Sequence, residues 1–202
     1  YLDDNGLAEN TIVIYSSDQG FFLGEHGWFD KRWMFEESFE MPFVVRWPSH
    51  IQPGKKFDGL IPNIDYAPTL LEAAGIQVPE RMQGKSLIPA LTGTATKVHD
   101  ALLYTFYEAA YNLPVHSGVF DGRYKLIHFP ATKEWNLMDL EKDPKEMRSF
   151  HNDPTYSPIM EKMKKLYSSE SKKYVWSTSS IPNIRHGNKG LKDSHQEIYA
   201  QL

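Results

Sequence analysis

The feature that most constrains this fold is a short apolar run that ends in acidic, amide and glycine residues. Residues 11–15 read Thr-Ile-Val-Ile-Tyr, and a polar stretch at 16–20, Ser-Ser-Asp-Gln-Gly, follows directly. A second apolar run covers 43–47. An apolar strand that ends in such residues is the layout of an active-site edge in an α/β sheet, where ligands lie beyond the carboxyl ends of the strands. Because the first run is apolar without alternation, we expect it to be a central strand.

Polar side chains near this strand end could form an ion site. Asp18 and Gln19 offer oxygen atoms, and hard oxygen ligands suit Ca²⁺ or Mg²⁺. From this dipeptide alone, an Asx-turn with a solvated Gln19 is the simpler interpretation. Lys31 and Arg32 follow a glycine-rich loop. Cations beside a metal-binding carboxylate fit an anionic ligand such as sulfate or phosphate, although a solvated surface pair is the alternative.

Composition excludes several classes of protein and site. The 202 residues contain no cysteine, which excludes disulfides and cysteine metal sites. The net charge of −4 leaves no nucleic-acid footprint, and no apolar run approaches the length of a membrane span. The chain does not begin with methionine, and residues 1–7 read as the end of a helix. We therefore expect the sequence to be cut from a longer protein.

Residues 1–95 are expected to form an α/β segment that carries this strand edge. A short helix is predicted within 32–39. A longer helix is predicted over 65–74, with Asp65 as its capping residue and Gly75 as its C-terminal stop.

Residues 96–176 are expected to form a second, smaller subdomain, because the sequence turns to small polar residues near 92–96 and then becomes β-like. Its predicted strands make a four-stranded antiparallel sheet and lie at 101–107, 115–120, 124–129 and 135–139. Apolar residues at helical spacing within 154–174 predict an amphipathic helix that covers one face of this sheet. We expect residues 177–202 to be a surface tail.

Five motifs follow one another between residues 17 and 48. They are Ser17-Asp18-Gln19-Gly20, Gly24-Glu25-His26-Gly27, Asp30-Lys31-Arg32, Met34-Phe35-Glu36-Glu37-Ser38 and Pro42-Phe43-Val44-Val45-Arg46-Trp47-Pro48. Their order and spacing resemble the C-terminal half of type I sulfatases, and the Asp-Lys-Arg stretch is most similar to the N-acetylglucosamine-6-sulfatase branch. The resemblance continues through 63–71, 83–89, 122–127 and 135–144 and stops before the tail.

This resemblance implies the C-terminal part of an alkaline-phosphatase-like α/β fold with a small antiparallel sheet and a packed helix. The family's nucleophile is a formylglycine made in a Cys/Ser-x-Pro-Ser-Arg motif. That motif is absent here, so formylglycine is expected upstream, in a missing N-terminal half. Asp18 and Gln19 would supply half of a Ca²⁺ site, which needs about 6–8 oxygen ligands. Metallophosphatases of the superfamily carry His after this Asp, because imidazole suits Zn²⁺, so Gln19 favours Ca²⁺ and sulfate.

The resemblance also implies roles for the neighbouring cations. Lys31 matches the lysine that contacts the sulfate ester, where it would neutralise charge on the transferring group. His26 would orient the substrate or act near the leaving group, or would equally order the loop. Arg32 would hold a sugar hydroxyl or carboxylate, or would pair with Glu36 or Glu37.

Two candidates for sugar contacts lie in the smaller subdomain. His116 and Glu108 would contact substrate there, with a core or edge-strand role as the alternative for each. Asp139 belongs to a turn common in the family and is expected to be structural.

The resulting hypothesis is the C-terminal portion of a sulfatase acting on amino sugars of glycosaminoglycan type, inactive as this chain alone. The alternatives are a metal-dependent phosphatase or phosphodiesterase of the same superfamily and a noncatalytic glycan-binding module. The resemblance implies a periplasmic, secreted or lysosomal location. A sheet without its other half would expose an edge and an apolar face, so we expect self-association unless that half covers them.

Overall fold

Two units make up the part of the chain that this computed structural model describes, residues 1–107 and 113–174. The first unit runs from Tyr1 to Leu102, and the second begins at Leu103. The domain limits drawn from the sequence stay predictions, and the tail at 177–202 lies outside the described residues. No helix in the described ranges is both long and apolar enough to cross a bilayer.

Two antiparallel strand pairs and three short helices form the first unit. Strand β1 (Val13–Ser16) pairs with β4 (Phe43–Arg46), and β2 (Phe22–Leu23) pairs with β3 (Phe29–Asp30). The helices are α1 (Glu36–Phe39), α2 (Tyr66–Ala73) and α3 (Ile88–Thr92). The apolar runs predicted at 11–16 and 43–47 are therefore strands, and they lie side by side.

Strand β1 is exposed rather than buried. Val13, Ile14 and Tyr15 are 40 %, 38 % and 68 % exposed, and β1 is hydrogen-bonded to β4 alone among the described residues. The prediction of a central strand is therefore wrong for the described part of the chain. An apolar run without alternation predicts a strand with two buried faces, but only packing partners can bury them.

Asp65 does not cap α2 with its side chain, which corrects the sequence-based role. A capping residue has extended backbone geometry, whereas Asp65 has φ −81° and ψ −15° because a 3₁₀ turn (Asn63–Asp65) leads into the helix. Its carboxyl group instead accepts the Lys85 N–H at 2.8 Å and lies 2.6 Å from His99 Nε2. The predicted stop at Gly75 is confirmed, since Gly75 has φ 69° and its N–H donates to the Glu72 carbonyl.

The second unit contains the predicted four-stranded antiparallel sheet. Its strands lie in the order β5-β6-β7-β8 and have these bounds: β5 (Leu102–Phe106), β6 (His116–Phe120), β7 (Tyr124–Phe129) and β8 (Glu134–Asp139). Helix α4 (Ser157–Lys173) packs on β6 and β7 with Met163 fully buried. The β-like runs between turn signals and the helical spacing of apolar residues therefore located the sheet and the helix of this unit.

Asp139 ends β8 as a buried anchor. Its carboxylate accepts two bonds from Arg123, at 2.9 and 3.0 Å, and a third from the Tyr156 hydroxyl at 2.8 Å. The expected structural role of Asp139 is confirmed by these bonds.

Candidate functional site

Asp18 and Gln19 lie directly beyond the carboxyl end of β1. The Asp18 side chain is 81 % exposed, and the Asn63 amide donates to the Asp18 carbonyl at 3.4 Å. The Ser17 hydroxyl donates to the Gln19 carbonyl at 2.8 Å and lies 3.3 Å from Asp18 Oδ1. Hydrogen bonds to the Asp18 and Gln19 carbonyl oxygens thus hold the loop. Asp18 Oδ2 takes no part in these bonds or in the contact with Ser17.

A shallow, open depression surrounds this loop. Its volume is about 610 Å³, and its lining comprises Ser16, Ser17, Asp18, Asn63, Ile64 and Tyr66. The Ser16 hydroxyl is 2.9 Å from the Tyr66 hydroxyl, which ties the end of β1 to the first turn of α2. An exposed carboxylate in such a depression can reach a ligand or ion from solvent.

Lys31 approaches the same carboxylate from the loop before α1. Its Nζ lies 3.7 Å from Asp18 Oδ2, and its side chain is about one-third exposed. An exposed ion pair of this kind contributes only about 0–1 kcal/mol to folding, so it is a poor explanation for the loop's shape. The structure therefore brings together the predicted metal-ligand residue and the predicted anion-binding cation.

His26 is largely enclosed by its own loop. Its ring stacks on Phe35 with centroids 4.3 Å apart, and its Nε2 lies 3.3 Å from a Glu37 carboxylate oxygen. His26 also has a positive φ of 55°, between Gly24 and Gly27, which are positive as well. This arrangement favours the loop-ordering role over direct substrate contact.

Arg32 is anchored on both its side chain and its backbone. The guanidinium pairs with Asp30, a partner that the sequence analysis did not name, and the Arg32 N–H donates to Ser38 Oγ at 3.0 Å. Arg32 is only partly exposed in the described structure. Its proposed contact with a sugar stays a prediction.

The remaining two candidates, His116 and Glu108, belong to the second unit. His116 is fully buried, with its Nδ1 2.9 Å from the Pro114 carbonyl and three aromatic rings at centroid distances of 5.3–5.7 Å, those of Tyr104, Phe106 and Phe129. Burial favours the core role for His116 over a sugar contact. Glu108 lies outside the described residues, so its proposed contact stays a prediction.

Two residues that contribute to the site were not predicted from the sequence. Asn63 holds the Asp18 carbonyl, and Ser38 accepts the Arg32 N–H. Both lie inside stretches that resemble sulfatases, but nothing in local periodicity indicates that either side chain contacts a distant loop. Only their position in those stretches could have indicated that they contribute to the site.

The donors beyond β1 fit part of a calcium shell. A carboxylate and a carboxamide supply the hard oxygens that Ca²⁺ prefers, but about 6–8 are needed. Within residues 1–107 and 113–174, no three His, Cys, Asp or Glu side chains converge to hold a metal ion. Asp18 and Gln19 could therefore contribute to a site whose remaining ligands come from elsewhere.

The chain is similar to known sulfatases over most of its length. The family described as N-sulphoglucosamine sulphohydrolase, C-terminal, matches residues 24–173. An N-acetylglucosamine-6-O-sulfatase of Bacteroides thetaiotaomicron is 40 % identical over 180 residues, which cover 86 % of this chain and 32 % of that protein. An arylsulfatase of Clostridium perfringens is 30 % identical over 168 residues, covering 82 % of this chain and 34 % of that protein.

Solved structures share the fold. One, in complex with its substrate D-glucosamine-2-N,6-O-disulfate, matches with a TM-score of 0.81 at 39 % identity, covering 86 % of this chain and 36 % of that one. A phosphonate monoester hydrolase of Agrobacterium radiobacter matches with a TM-score of 0.72 at 28 % identity, covering 85 % and 37 %. The chain thus spans about a third of the length of the relatives it matches.

Proposed function

This chain belongs to the sulfatase family, in the group described as N-sulphoglucosamine sulphohydrolase, C-terminal, and from that premise we propose that its protein hydrolyses sulfate esters of amino sugars. The proposed substrate is derived from a glycosaminoglycan and resembles N-acetylglucosamine-6-sulfate. The relative from Bacteroides thetaiotaomicron, an N-acetylglucosamine-6-O-sulfatase, supports the choice of sugar. The family also leads us to propose a periplasmic, secreted or lysosomal location.

The observation that carries this proposal is the approach of Lys31 to Asp18. The Lys31 ammonium lies 3.7 Å from the exposed Asp18 carboxylate at the carboxyl end of a strand. This arrangement fits a site in which Asp18 would bind a metal ion and Lys31 would bind the sulfate group. Lys31 Nζ would bind an ester or sulfate oxygen and neutralise the charge that grows on it. Asp18 and Gln19 would hold Ca²⁺, which as a Lewis acid would polarise the sulfate group.

The other residues of this loop have supporting roles in the proposal. His26, stacked on Phe35 and bonded to Glu37, would keep the glycine-rich loop ordered beneath the substrate. The formylglycine nucleophile and the remaining metal ligands would come from residues outside these 202, since the sequence contains no Cys/Ser-x-Pro-Ser-Arg motif. The chain alone would then be inactive.

Sulfate release from N-acetylglucosamine-6-sulfate with Ca²⁺ tests the proposal. The protein with all its natural segments is compared with its Lys31→Ala variant, and Lys56→Ala serves as a matched control at an exposed lysine. We expect Lys31→Ala to lower kcat/KM by roughly a hundredfold or more, as for loss of one charge-stabilising donor. The control should stay at the wild-type rate, and a chelator should abolish release. Binding of the sugar without turnover would instead favour the noncatalytic module.

Hydrolysis of phosphonate or phosphate monoesters is the second candidate, because the phosphonate monoester hydrolase shares this fold. Gln19 opposes it, since an amide oxygen is a poorer ligand for Zn²⁺ than an imidazole. Assay of a phosphonate monoester, p-nitrophenyl phenylphosphonate, beside the sulfated sugar separates the two, since its hydrolysis releases p-nitrophenol. A higher kcat/KM for the phosphonate, with Zn²⁺ in the purified protein, would replace the sulfatase proposal.

A further inference from the structure

One residue of α1 is hydrogen-bonded to both loops of the candidate site. The Ser38 carbonyl accepts the Gly20 N–H at 3.0 Å, and the Ser38 hydroxyl accepts the Arg32 N–H at 3.0 Å. Gly20 directly follows Asp18 and Gln19, and Arg32 directly follows Lys31. Ser38 therefore bridges the segment that carries the acid to the segment that carries the cation.

Packing leaves the first of these segments little freedom next to α1. Ser38 is buried, and a Cβ placed on Gly20 would collide with the carbonyl oxygens of Glu37 and Glu40. The Gly20 backbone thus lies directly against the backbone of α1. A shift of the Asp18 segment toward this helix would create a clash, and a shift away would break the Gly20 bond to Ser38.

The second segment has a backbone that must be held in place. Asp30 and Arg32 flank Lys31 with φ values of 89° and 99°, a region that residues with a Cβ rarely adopt. Such conformations persist only where the surroundings fix them. The bond from the Arg32 N–H to Ser38 is one such constraint, and the Asp30–Arg32 ion pair is another.

We propose that Ser38 is a positioning residue for sulfate hydrolysis. It accepts hydrogen bonds from the backbone N–H groups of Gly20 and Arg32, next to the residues that carry the site. It sets the separation of the Lys31 ammonium from the Asp18 carboxylate by holding the two backbones on one helix turn. The kinetic part of this inference rests on the proposed function, whereas the geometric part stands on the bonds of Ser38 alone.

Hydrogen exchange on the whole protein, followed by mass spectrometry, tests the geometric part. Ser38→Ala removes the hydroxyl, Ser38→Thr retains it, and Ser86→Ala is the matched control because its hydroxyl accepts the Ile88 N–H at 3.2 Å elsewhere in the first unit. We expect Ser38→Ala to speed exchange in peptides that cover 30–34, because the Arg32 N–H loses its acceptor. Peptides that cover 16–21 should stay protected, because the Gly20 N–H donates to the Ser38 carbonyl, which alanine retains. Ser38→Thr should restore protection. The inference is overturned if exchange at 30–34 is unchanged in Ser38→Ala, or if Ser86→Ala speeds exchange at 30–34 equally.

A double-mutant cycle tests the kinetic part. We expect Ser38→Ala to lower kcat/KM for the sulfated sugar by roughly ten- to a hundredfold, because small displacements of a catalytic group have effects of this size. In a Lys31→Ala background the same change should cost less than about twofold, since its effect passes through Lys31. Multiplicative losses in the cycle would overturn a positioning role. If wild type releases no sulfate, the proposed function fails, and the exchange pattern alone decides the role of Ser38.

Discussion

Asp65 and His99 form a fully buried polar pair in the first unit. The pair links the start of α2 to the segment around His99, and the second Asp65 oxygen accepts the Lys85 N–H. Buried donors that lose their acceptor cost about 1–3 kcal/mol each, which exceeds the net gain from an ordinary hydrogen bond. Asp65 is therefore a tertiary anchor for three chain segments.

We expect Asp65→Ala to lower the free energy of unfolding by at least about 3 kcal/mol, because it leaves His99 and the Lys85 N–H without an acceptor. Urea unfolding measures the loss. Asp58→Ala removes an exposed carboxylate from the same unit and should change stability by less than about 0.5 kcal/mol. Similar losses in the two variants would contradict the anchoring role.

Asp139 has a comparable anchoring role in the second unit, and it makes that unit sensitive to acid. Burial alone would raise the pKa of Asp139, but the bonds and charge of Arg123 and the Tyr156 hydroxyl outweigh it and hold the pKa below 3.8. The unfolded chain therefore takes up a proton at Asp139 before the folded chain does. The stability contributed by this carboxylate is present above pH 3.8 and is lost as the pH falls through the lower, folded pKa.

We expect the free energy of unfolding to fall steeply below pH 4 in wild type and less steeply in Asp139→Asn, which cannot titrate. Asp139→Asn should also be less stable near neutral pH, because it loses the charge-assisted bonds with Arg123. Chemical denaturation at a series of pH values from 2 to 7 gives both results. Parallel pH profiles for the two proteins would show that other carboxylates control the loss of stability at low pH.

At the scale of elements, the β-sheet of the second unit and α4 agree closely with their sequence patterns. All four strands and the helix lie within a few residues of their predicted limits. β-like runs and helical spacing are local signals, and here the sheet and the helix that packs on it belong to the same unit. The short α1 and the cap of α2 depend on contacts with distant segments, so local patterns describe them less well.

We expect Met163→Ala to destabilise the second unit by about 2–5 kcal/mol, because Met163 is fully buried where α4 packs on the sheet. Met147→Ala is the matched control, since this methionine is 72 % exposed. Thermal or urea unfolding monitored by tryptophan fluorescence compares the two variants. A loss below about 1 kcal/mol at Met163 would mean that the helix is not tightly packed on its sheet.

At the scale of the whole molecule, the first unit carries an exposed apolar ribbon made of β1 and β4. Tyr15 and Val44 lie opposite each other across the pair and are 68 % and 62 % exposed. Contiguous apolar strands with open edges are sites of association with other protein surfaces. The ribbon is therefore the surface through which we expect this chain to associate.

We expect the 202-residue chain to sediment as an oligomer, and the double variant Tyr15→Lys with Val44→Glu to sediment as a monomer. Opposite charges across the pair keep the strands compatible while removing the apolar face. Ile76→Lys, a change at a residue that is 56 % exposed outside the ribbon, should leave the oligomer intact. A wild-type chain that sediments as a monomer and melts cooperatively would contradict this prediction.

The sequence by itself determined the family, the strands and helix of the second unit, and the candidate site residues Asp18, Gln19 and Lys31. Those conclusions depend on motif order and on periodicities that repeat within a few residues. Only the tertiary structure decided that Lys31 meets Asp18, that Asp65 pairs with His99, that His116 is enclosed by aromatic rings, and that Ser38 joins two loops. The physical reason is that these contacts join different segments of the chain. Periodicity within one segment does not indicate which other segment it will contact, because tertiary packing decides that.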